Sequence, residues 1–146
     1  MHIRKATPAD YPEIMRVWES SVLATHHFLL LTDFQLFKNI IPTQMLPVLD
    51  LYVISEDRIT GVLGVSGENL EMLFIDAASR GKGYGKALVE FALKELHVKK
   101  VDVNEQNEQA VGFYLKSGFV QTGRSERDGM GKPYPLLHME YNPYAF

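Results

Sequence analysis

The stretch from Asn69 to Leu96 reads NLEMLFIDAASRGKGYGKALVEFALKEL, and it predicts a strand, a glycine-rich loop and a helix in succession. The apolar run of the strand ends at Ile75, and glycines then alternate with other residues between positions 81 and 85. Apolar residues afterwards recur at three- and four-residue spacing, as they do on one face of a helix. These residues are Leu88, Phe91, Ala92 and Leu96.

A loop of this kind is suited to binding a phosphate group. Glycine has no Cβ, so the backbone at Gly81 and Gly83 can approach a ligand closely and adopt positive φ. The helix that follows presents unpaired N–H groups and the positive end of its dipole. Arg80, Lys82 and Lys86 add positive charge around the loop. The alternative is a tight strand-to-helix turn that holds no ligand.

Two common phosphate-binding motifs do not fit this loop. A dinucleotide fingerprint needs glycine where Lys86 stands. A P-loop needs glycine in place of Arg80 and serine or threonine in place of Ala87. The pattern that remains, Arg80-x-x-Gly83-x-Gly85, resembles the R/Q-x-x-G-x-G/A signature of the GNAT (Gcn5-related) acetyltransferases, whose loop amides hold the pyrophosphate of coenzyme A.

A second motif resembles the same family. Residues 103–119 read VNEQNEQAVGFYLKSGF, and they are similar to the GNAT segment in which an asparagine ends a strand, a helix follows, and a tyrosine precedes Gly-Phe. The resemblance covers the whole chain. It is closest to a group of small bacterial members of the family. Residues 24–26 and 131–137 also resemble the corresponding segments of that group.

The resemblance implies an α/β (α+β) GNAT fold for a single domain over residues 1–146. Its central sheet is expected to be mixed and mostly antiparallel, flanked by about four helices. Strands 4 and 5 are expected to splay apart, and the gap would admit the pantetheine arm of acetyl-CoA, whose amides pair with free strand backbone.

The resemblance also implies which residues contact acetyl-CoA and which protonate the departing thiolate. Tyr114 matches the position of the family's general acid, although a helical tyrosine is ordinarily a packing residue. For Asn107, helix capping alone is the alternative. The expected cofactor-binding residues are Leu73, Phe74, Ile75, Arg80, Gly81, Lys82, Gly83, Tyr84, Gly85, Lys86, Asn104, Asn107 and Tyr114.

Glu71 is the candidate general base. Strand alternation predicts that Asn69, Glu71, Leu73 and Ile75 share one face, on which related enzymes sometimes carry the base. The alternative for Glu71 is a solvent-facing strand carboxylate. His26 is the runner-up, with helix capping or packing as its alternative. The adjacent residues His26 and His27 cannot face the same direction on a helix or a strand, so we expect no metal site formed by this pair.

The N-terminal part of the chain predicts a strand and two helices. The strand is expected at 2–6, and Asp10 is the candidate N-cap of the first helix. Trp18 lies on the apolar face of this helix and is expected in the core. A second helix is predicted over 34–41, where Pro42 interrupts it.

The rest of the chain predicts strands and one further helix. Gly118 is expected to end the helix that carries Tyr114. Residues 124–132 are polar and rich in glycine, which is typical of a loop, and the tail 142–146 is expected to fray. The predicted strands lie at 51–55, 59–65, 69–75, 99–104, 119–123 and 134–141.

The composition of the chain excludes several kinds of site and partner. A length of 146 residues with 46% hydrophobic residues suggests one domain with a packed core. The absence of cysteine excludes disulfides and thiolate sites. A net charge of -3 argues against bulk nucleic-acid affinity. No apolar run reaches the length of a membrane span, and Met1 leads directly into a strand pattern. We expect a cytoplasmic protein without nucleic-acid or membrane partners.

The function implied by the resemblance is direct transfer of an acetyl group from acetyl-CoA to a primary amine in a ternary complex. The acceptor would be a protein lysine or N-terminus, or a small amine. A non-catalytic acyl-CoA sensor on the same fold is the alternative, and transfer to an alcohol or from a longer acyl donor also stays open. By analogy with the family, the protein would be a monomer or a homodimer.

Overall fold

A computed structural model describes residues 1–144, and a seven-stranded sheet forms the centre of this part of the chain. The last two residues of the tail expected to fray lie outside the described residues. The strands are β1 (His2–Lys5), β2 (Asp50–Ser55), β3 (Ile59–Ser66), β4 (Asn69–Ile75), β5 (Lys100–Asn104), β6 (Phe119–Ser125) and β7 (Leu136–Tyr141). The helices are α1 (Tyr11–Thr25), α2 (Leu31–Ile40), α3 (Tyr84–Lys94) and α4 (Glu108–Lys116).

The strands follow the order β1-β2-β3-β4-β5-β7-β6, and every neighbouring pair except one is antiparallel. The exception is the parallel pair β4–β5, which is registered only at Asn69↔Lys100 and Leu70↔Val101. Beyond these residues the two strands separate. The expected mixed sheet, splayed between strands 4 and 5, is therefore confirmed.

A β-bulge at Glu71 changes the alternation that the sequence predicts for β4. On β3, the successive residues Gly64 and Val65 pair with Met72 and Leu70 of β4. Glu71, which lies between these two, has no partner on β3. An extra residue of this kind turns the side chains that follow to the other face. The expectation that Asn69, Glu71, Leu73 and Ile75 share one face is therefore wrong. Instead, Leu70, Leu73 and Ile75 pack on one side of the sheet, and Met72 and Phe74 pack on the other.

Each face of the sheet is covered by two helices. Helices α3 and α4 close one core, in which Leu88 and Phe119 are fully buried. Helices α1 and α2 close the other core, where Trp18 stacks on Phe34 at a centroid distance of 5.3 Å. Trp18 is only 3% exposed, which confirms its predicted place in the core.

Several boundaries differ from the sequence predictions by a few residues. Helix α2 begins at Leu31, three residues earlier than predicted, and a π-helical turn at Ile41–Met45 follows it where Pro42 cannot continue the α-helical bonds. Strand β6 extends to Ser125, and β7 begins only at Leu136. The helix that carries Tyr114 is followed by Gly118 at φ +99°, as predicted.

Asp10 does not cap α1 with its side chain. Its carboxylate accepts two hydrogen bonds of 2.8 Å from the guanidinium of Arg4 and one from the Thr7 N–H. These bonds hold the pKa of Asp10 at about 2, well below its usual value. The carboxylate thus ties the turn before α1 to β1.

Candidate functional site

The glycine loop between β4 and α3 adopts the conformation that its sequence predicts. Gly81 and Gly83 have φ of +77° and +87°, and a Cβ at either would meet no atom of the described residues within 4 Å. Helix α3 begins at Tyr84, so Gly85 lies in its first turn rather than before it. The loop therefore leaves open space beside the free N–H groups of a helix start, which is the geometry of an anion site.

A hydrogen-bond network anchors the segment before this loop to α1. Ser20 Oγ donates to Asp76 Oδ1 at 2.7 Å and accepts from the Ala77 N–H at 3.0 Å. Arg16 lies 3.5 Å from the second oxygen of the Asp76 carboxylate. Because Asp76 directly follows β4, these contacts fix the direction in which the chain leaves the strand.

A cavity of about 400 Å³ opens where β4 and β5 separate. It brings together most of the predicted cofactor-binding residues and all three candidate acid–base residues, Tyr114, Glu71 and His26. Lys82 and Asn104 do not line it: Lys82 is exposed, and the Asn104 side chain accepts a hydrogen bond from the Gln106 N–H. The predicted residues that do line it are Leu73, Phe74, Ile75, Arg80, Gly81, Gly83, Tyr84, Gly85, Lys86, Asn107 and Tyr114.

The side chain of Tyr114 is 6% exposed, and its hydroxyl has no hydrogen-bond partner in the described part of the chain. Its ring is held edge-on between Phe113 and Phe119, at centroid distances of 5.2 and 5.5 Å. Every fully buried side-chain polar atom among residues 1–144 is hydrogen-bonded, so the unpaired hydroxyl must face the cavity. Burial raises the pKa of this phenol, and it carries its proton at neutral pH.

Glu71 lies on the cavity wall at the bulge of β4. Its side chain is exposed to solvent, as its alternative interpretation expects, yet partial desolvation and then the neighbouring charge of Asp102 raise the pKa of its carboxyl above the usual value. Glu71 makes no hydrogen bond or salt bridge to another residue in the range 1–144. A carboxylate with a raised pKa and no protein partner is suited to accept a proton from a bound ligand.

His26 follows the last residue of α1 and also lines the cavity. Thr25 donates its one hydroxyl hydrogen to the Ser21 carbonyl at 2.8 Å, so Nδ1 of His26 donates to Thr25 Oγ1 at 2.7 Å. This assignment leaves Nε2 as an acceptor that has no partner among residues 1–144. Burial, followed by the neighbouring His27, lowers the pKa of His26 to about 4, which makes the ring a neutral and weak base.

The buried carboxylate of Asp33, in α2, contacts the β6–β7 loop on the α1–α2 side of the sheet. Asp33, 6% exposed, accepts a hydrogen bond from the Tyr134 hydroxyl and lies 3.0 Å from Lys132 Nζ. The Tyr134 hydroxyl in turn accepts from the Leu30 N–H. These bonds lower the pKa of Asp33 and hold the β6–β7 loop against the start of α2.

The sequence predictions missed the polar cavity residues Ser21, Thr25, Ser79, Asp102 and Gln109, of which the last two make contacts that matter for the site. Asp102 alternates with the buried Val101 and Val103 along β5, and this pattern could have marked it as facing the other side of the sheet. Gln109 accepts a hydrogen bond from Arg80 and so links the glycine loop to α4. No sequence pattern points to that contact, because it joins two elements 29 residues apart.

None of the helices described for residues 1–144 has both the length and the apolar character needed to cross a membrane.

The chain is similar to known proteins in sequence. A family model described as an acetyltransferase (GNAT) domain matches residues 37–141. The chain is 43% identical over 141 residues to the peptidyl-lysine N-acetyltransferase YjaB of Escherichia coli (strain K12), with 95% of each chain aligned.

Solved structures also resemble the chain. The solution structure of the apo form of YjaB from Escherichia coli has a TM-score of 0.88 at 42% identity, over 96% of each chain. The crystal structure of the PaiA N-acetyltransferase from Thermoplasma acidophilum, in complex with coenzyme A, has a TM-score of 0.74 at 18% identity. That match covers 97% of this chain and 98% of the other, and it is a likeness of fold alone.

Proposed function

The chain belongs to the GNAT acetyltransferase family, and we propose that it transfers the acetyl group of acetyl-CoA to the side-chain amine of a protein lysine. One observation carries the proposal. A single cavity is lined by the glycine loop, by β4 where it leaves β5, and by the acid–base candidates Tyr114, Glu71 and His26. Lysine as the acceptor is supported by the name of the YjaB relative.

The donor half of the cavity fits the pyrophosphate and pantetheine parts of acetyl-CoA. The open space at Gly81 and Gly83 lets phosphate oxygens approach the backbone. Lys86 and the first N–H groups of α3 supply positive charge there. Beyond Leu70, no strand within residues 1–144 pairs with β4 on its β5 side, and the free backbone of β4 would pair with the pantetheine amides.

The reaction is proposed as direct attack in a ternary complex. A lysine ammonium, with an ordinary pKa of about 10.4, first loses a proton to Glu71. The amine nitrogen then attacks the thioester carbonyl carbon, and the backbone N–H groups in residues 73–75 that point away from β3 stabilise the oxyanion. Tyr114 donates its proton to the thiolate as the C–S bond breaks and recovers a proton from the new amide nitrogen. One proton is released from Glu71 per turnover.

Glu71 is preferred to His26 as the base because burial and Asp102 move its pKa upward, toward the working pH. We expect kcat/KM of the wild type to fall as the pH drops through this raised pKa, because the carboxylate is then protonated. Glu71→Gln should remove this acidic limb of the pH–rate profile. The measurement is kcat/KM for a lysine peptide at a series of pH values.

The matched control for this prediction is Glu68→Gln, which removes an exposed carboxylate that pairs with Lys99 outside the cavity. Its profile should follow the wild type. If Glu71→Gln also kept the wild-type profile, Glu71 would not be the base, and His26 would be tested next by the same measurement.

The donor proposal is tested by thermal unfolding with and without acetyl-CoA. A ligand at about a hundred times its Kd should stabilise the folded state by roughly 2.7 kcal/mol, which appears as a higher Tm. Desulfo-coenzyme A, with the same pyrophosphate, should give a similar shift. An unchanged Tm at millimolar acetyl-CoA would contradict the donor site.

The transfer itself is tested by release of free thiol from acetyl-CoA with a lysine-containing peptide, beside the same peptide with norleucine in place of lysine. We expect release only with lysine. A protein stabilised by acetyl-CoA that releases no thiol with any amine would instead be an acyl-CoA sensor. Release with an alcohol but not an amine would contradict the acceptor class.

A further inference from the structure

Two carboxylates stand at the point where β4 and β5 separate. Glu71 and Asp102 directly follow Leu70 and Val101, the last paired residues of the two strands. Both line the cavity, and the charge of Asp102 contributes to the raised pKa of Glu71. Their side chains are therefore close enough to repel each other when both are ionised.

Asp102 is oriented by a chain of hydrogen bonds across three strands. His138 on β7 lies opposite Asp102, and its Nδ1 is 2.6 Å from Asp102 Oδ1. Its Nε2 lies 2.6 Å from Ser125 Oγ on β6. Because a carboxylate only accepts, Nδ1 carries the hydrogen, and in the neutral ring Nε2 accepts from Ser125.

Both carboxylates are exposed to solvent, Asp102 at 59% of its side-chain surface, and protein groups within residues 1–144 compensate their charge only in part. Glu71 has no hydrogen-bonding or ionic partner there, and Asp102 has His138 alone, which leaves its Oδ2 free. A separate observation also indicates a ligand in this cavity. The hydroxyl of Tyr114, a side chain more than nine-tenths buried, faces it without a partner. A cationic group in the cavity would relieve the repulsion between the carboxylates, and a neutral group of the same size would not.

We propose that Asp102 is a specificity-determining residue that, together with Glu71, holds the ammonium group of the acceptor before deprotonation. His138 and Ser125 are positioning residues, which fix the Asp102 carboxylate at the mouth of the splayed strands. The acceptor class that this corner selects is a cationic primary amine. This inference rests on the proposed acetyl transfer and adds to it the group that discriminates a charged acceptor from a neutral one.

The first test is steady-state acetylation of a lysine-containing peptide at saturating acetyl-CoA. Asp102→Asn should raise KM for the peptide roughly threefold to tenfold, with a smaller change in kcat, because a solvent-accessible ion pair is lost. Glu140→Gln is the matched control: it removes a carboxylate on β7 that pairs with Lys100 at 3.8 Å outside the cavity, and KM should not change. Equal KM values for the wild type and Asp102→Asn would overturn the proposal.

The positioning role is tested by two variants of His138. His138→Leu removes the hydrogen bond to Asp102 and should raise KM as Asp102→Asn does. His138→Asn places an amide N–H near the position of Nδ1 and should restore much of the wild-type KM. If both variants behaved alike while their Tm values matched the wild type, His138 would not position Asp102.

A binding measurement separates this inference from the proposed function. Nα-acetyl-lysine amide, titrated without acetyl-CoA, should shift the NMR signals of the His138 ring, and Nα-acetyl-norleucine amide should not. Binding of the lysine probe by a protein that acetylates no amine would retain the cationic subsite and reject the transfer reaction. Acetylation with equal response to both probes would retain the reaction and reject the subsite.

Discussion

Replacing Tyr114 by phenylalanine is expected to lower kcat roughly 10²- to 10⁴-fold, the range typical of a lost general acid. The ring of Tyr114 is fixed by Phe113 and Phe119, so the variant keeps the shape of the cavity wall and loses only the hydroxyl. Burial keeps the phenol protonated, which an acid requires before the thiolate leaves. The affinity for acetyl-CoA should stay near that of the wild type. Thiol release and calorimetric titration with acetyl-CoA measure the two quantities.

Tyr52→Phe is the matched control for the loss of a phenolic hydroxyl. Tyr52 lies on β2, where its ring contacts Phe91 at a centroid distance of 5.0 Å and does not line the cavity. Its kcat should stay near the wild-type value. An undiminished kcat in Tyr114→Phe would show that another group, or water, protonates the thiolate.

Replacing Gly83 by aspartate is expected to weaken acetyl-CoA binding by more than about a hundredfold. A carboxylate at this position would lie in the open space where the pyrophosphate is proposed to bind, and like charges in contact cost several kcal/mol. The positive φ of +87° adds backbone strain, because residues with a Cβ rarely adopt it. Calorimetric titration of acetyl-CoA into the folded variant measures the loss.

Gly67→Asp separates the effect of a carboxylate in the loop from the effect of backbone strain at positive φ. Gly67 lies in the turn between β3 and β4 at φ +57°, and a Cβ there meets no atom within 4 Å. The control therefore introduces the same side chain and a similar strain away from the cavity, and it should lower Tm without weakening acetyl-CoA binding. Equal affinities in the two variants would contradict the assignment of the glycine loop to the pyrophosphate.

The features that the sequence predicts correctly depend on neighbours in the chain. The strand, loop and helix of residues 69–96 follow from local periodicity and from glycines at positive φ. Asn107 accepts a hydrogen bond from the Ala110 N–H at 3.3 Å, as an N-cap does. The family, predicted from two local motifs, is confirmed by the family model and the relatives.

The features that the sequence does not predict depend on contacts with residues outside the element itself, and most of them depend on strand register. The bulge at Glu71 arises from how β3 pairs with β4, and the residues of β4 alone give no sign of it. Asp10 carries the residue type of a helix cap, yet Arg4 across the turn attracts its carboxylate instead. The contact between Asp102 and His138 joins residues 36 apart, and only the β5–β7 register brings them together.

The short β4–β5 pairing also has a consequence for how long the protein persists in a cell. Only two residue pairs join β1–β4 to β5–β7 across the sheet, so this seam is its weakest line. An acetyl-CoA molecule in the gap would contribute interstrand bonds that the chain itself lacks, and it would suppress the openings through which proteases gain access. The abundance of the enzyme would then rise and fall with the supply of its own acetyl donor.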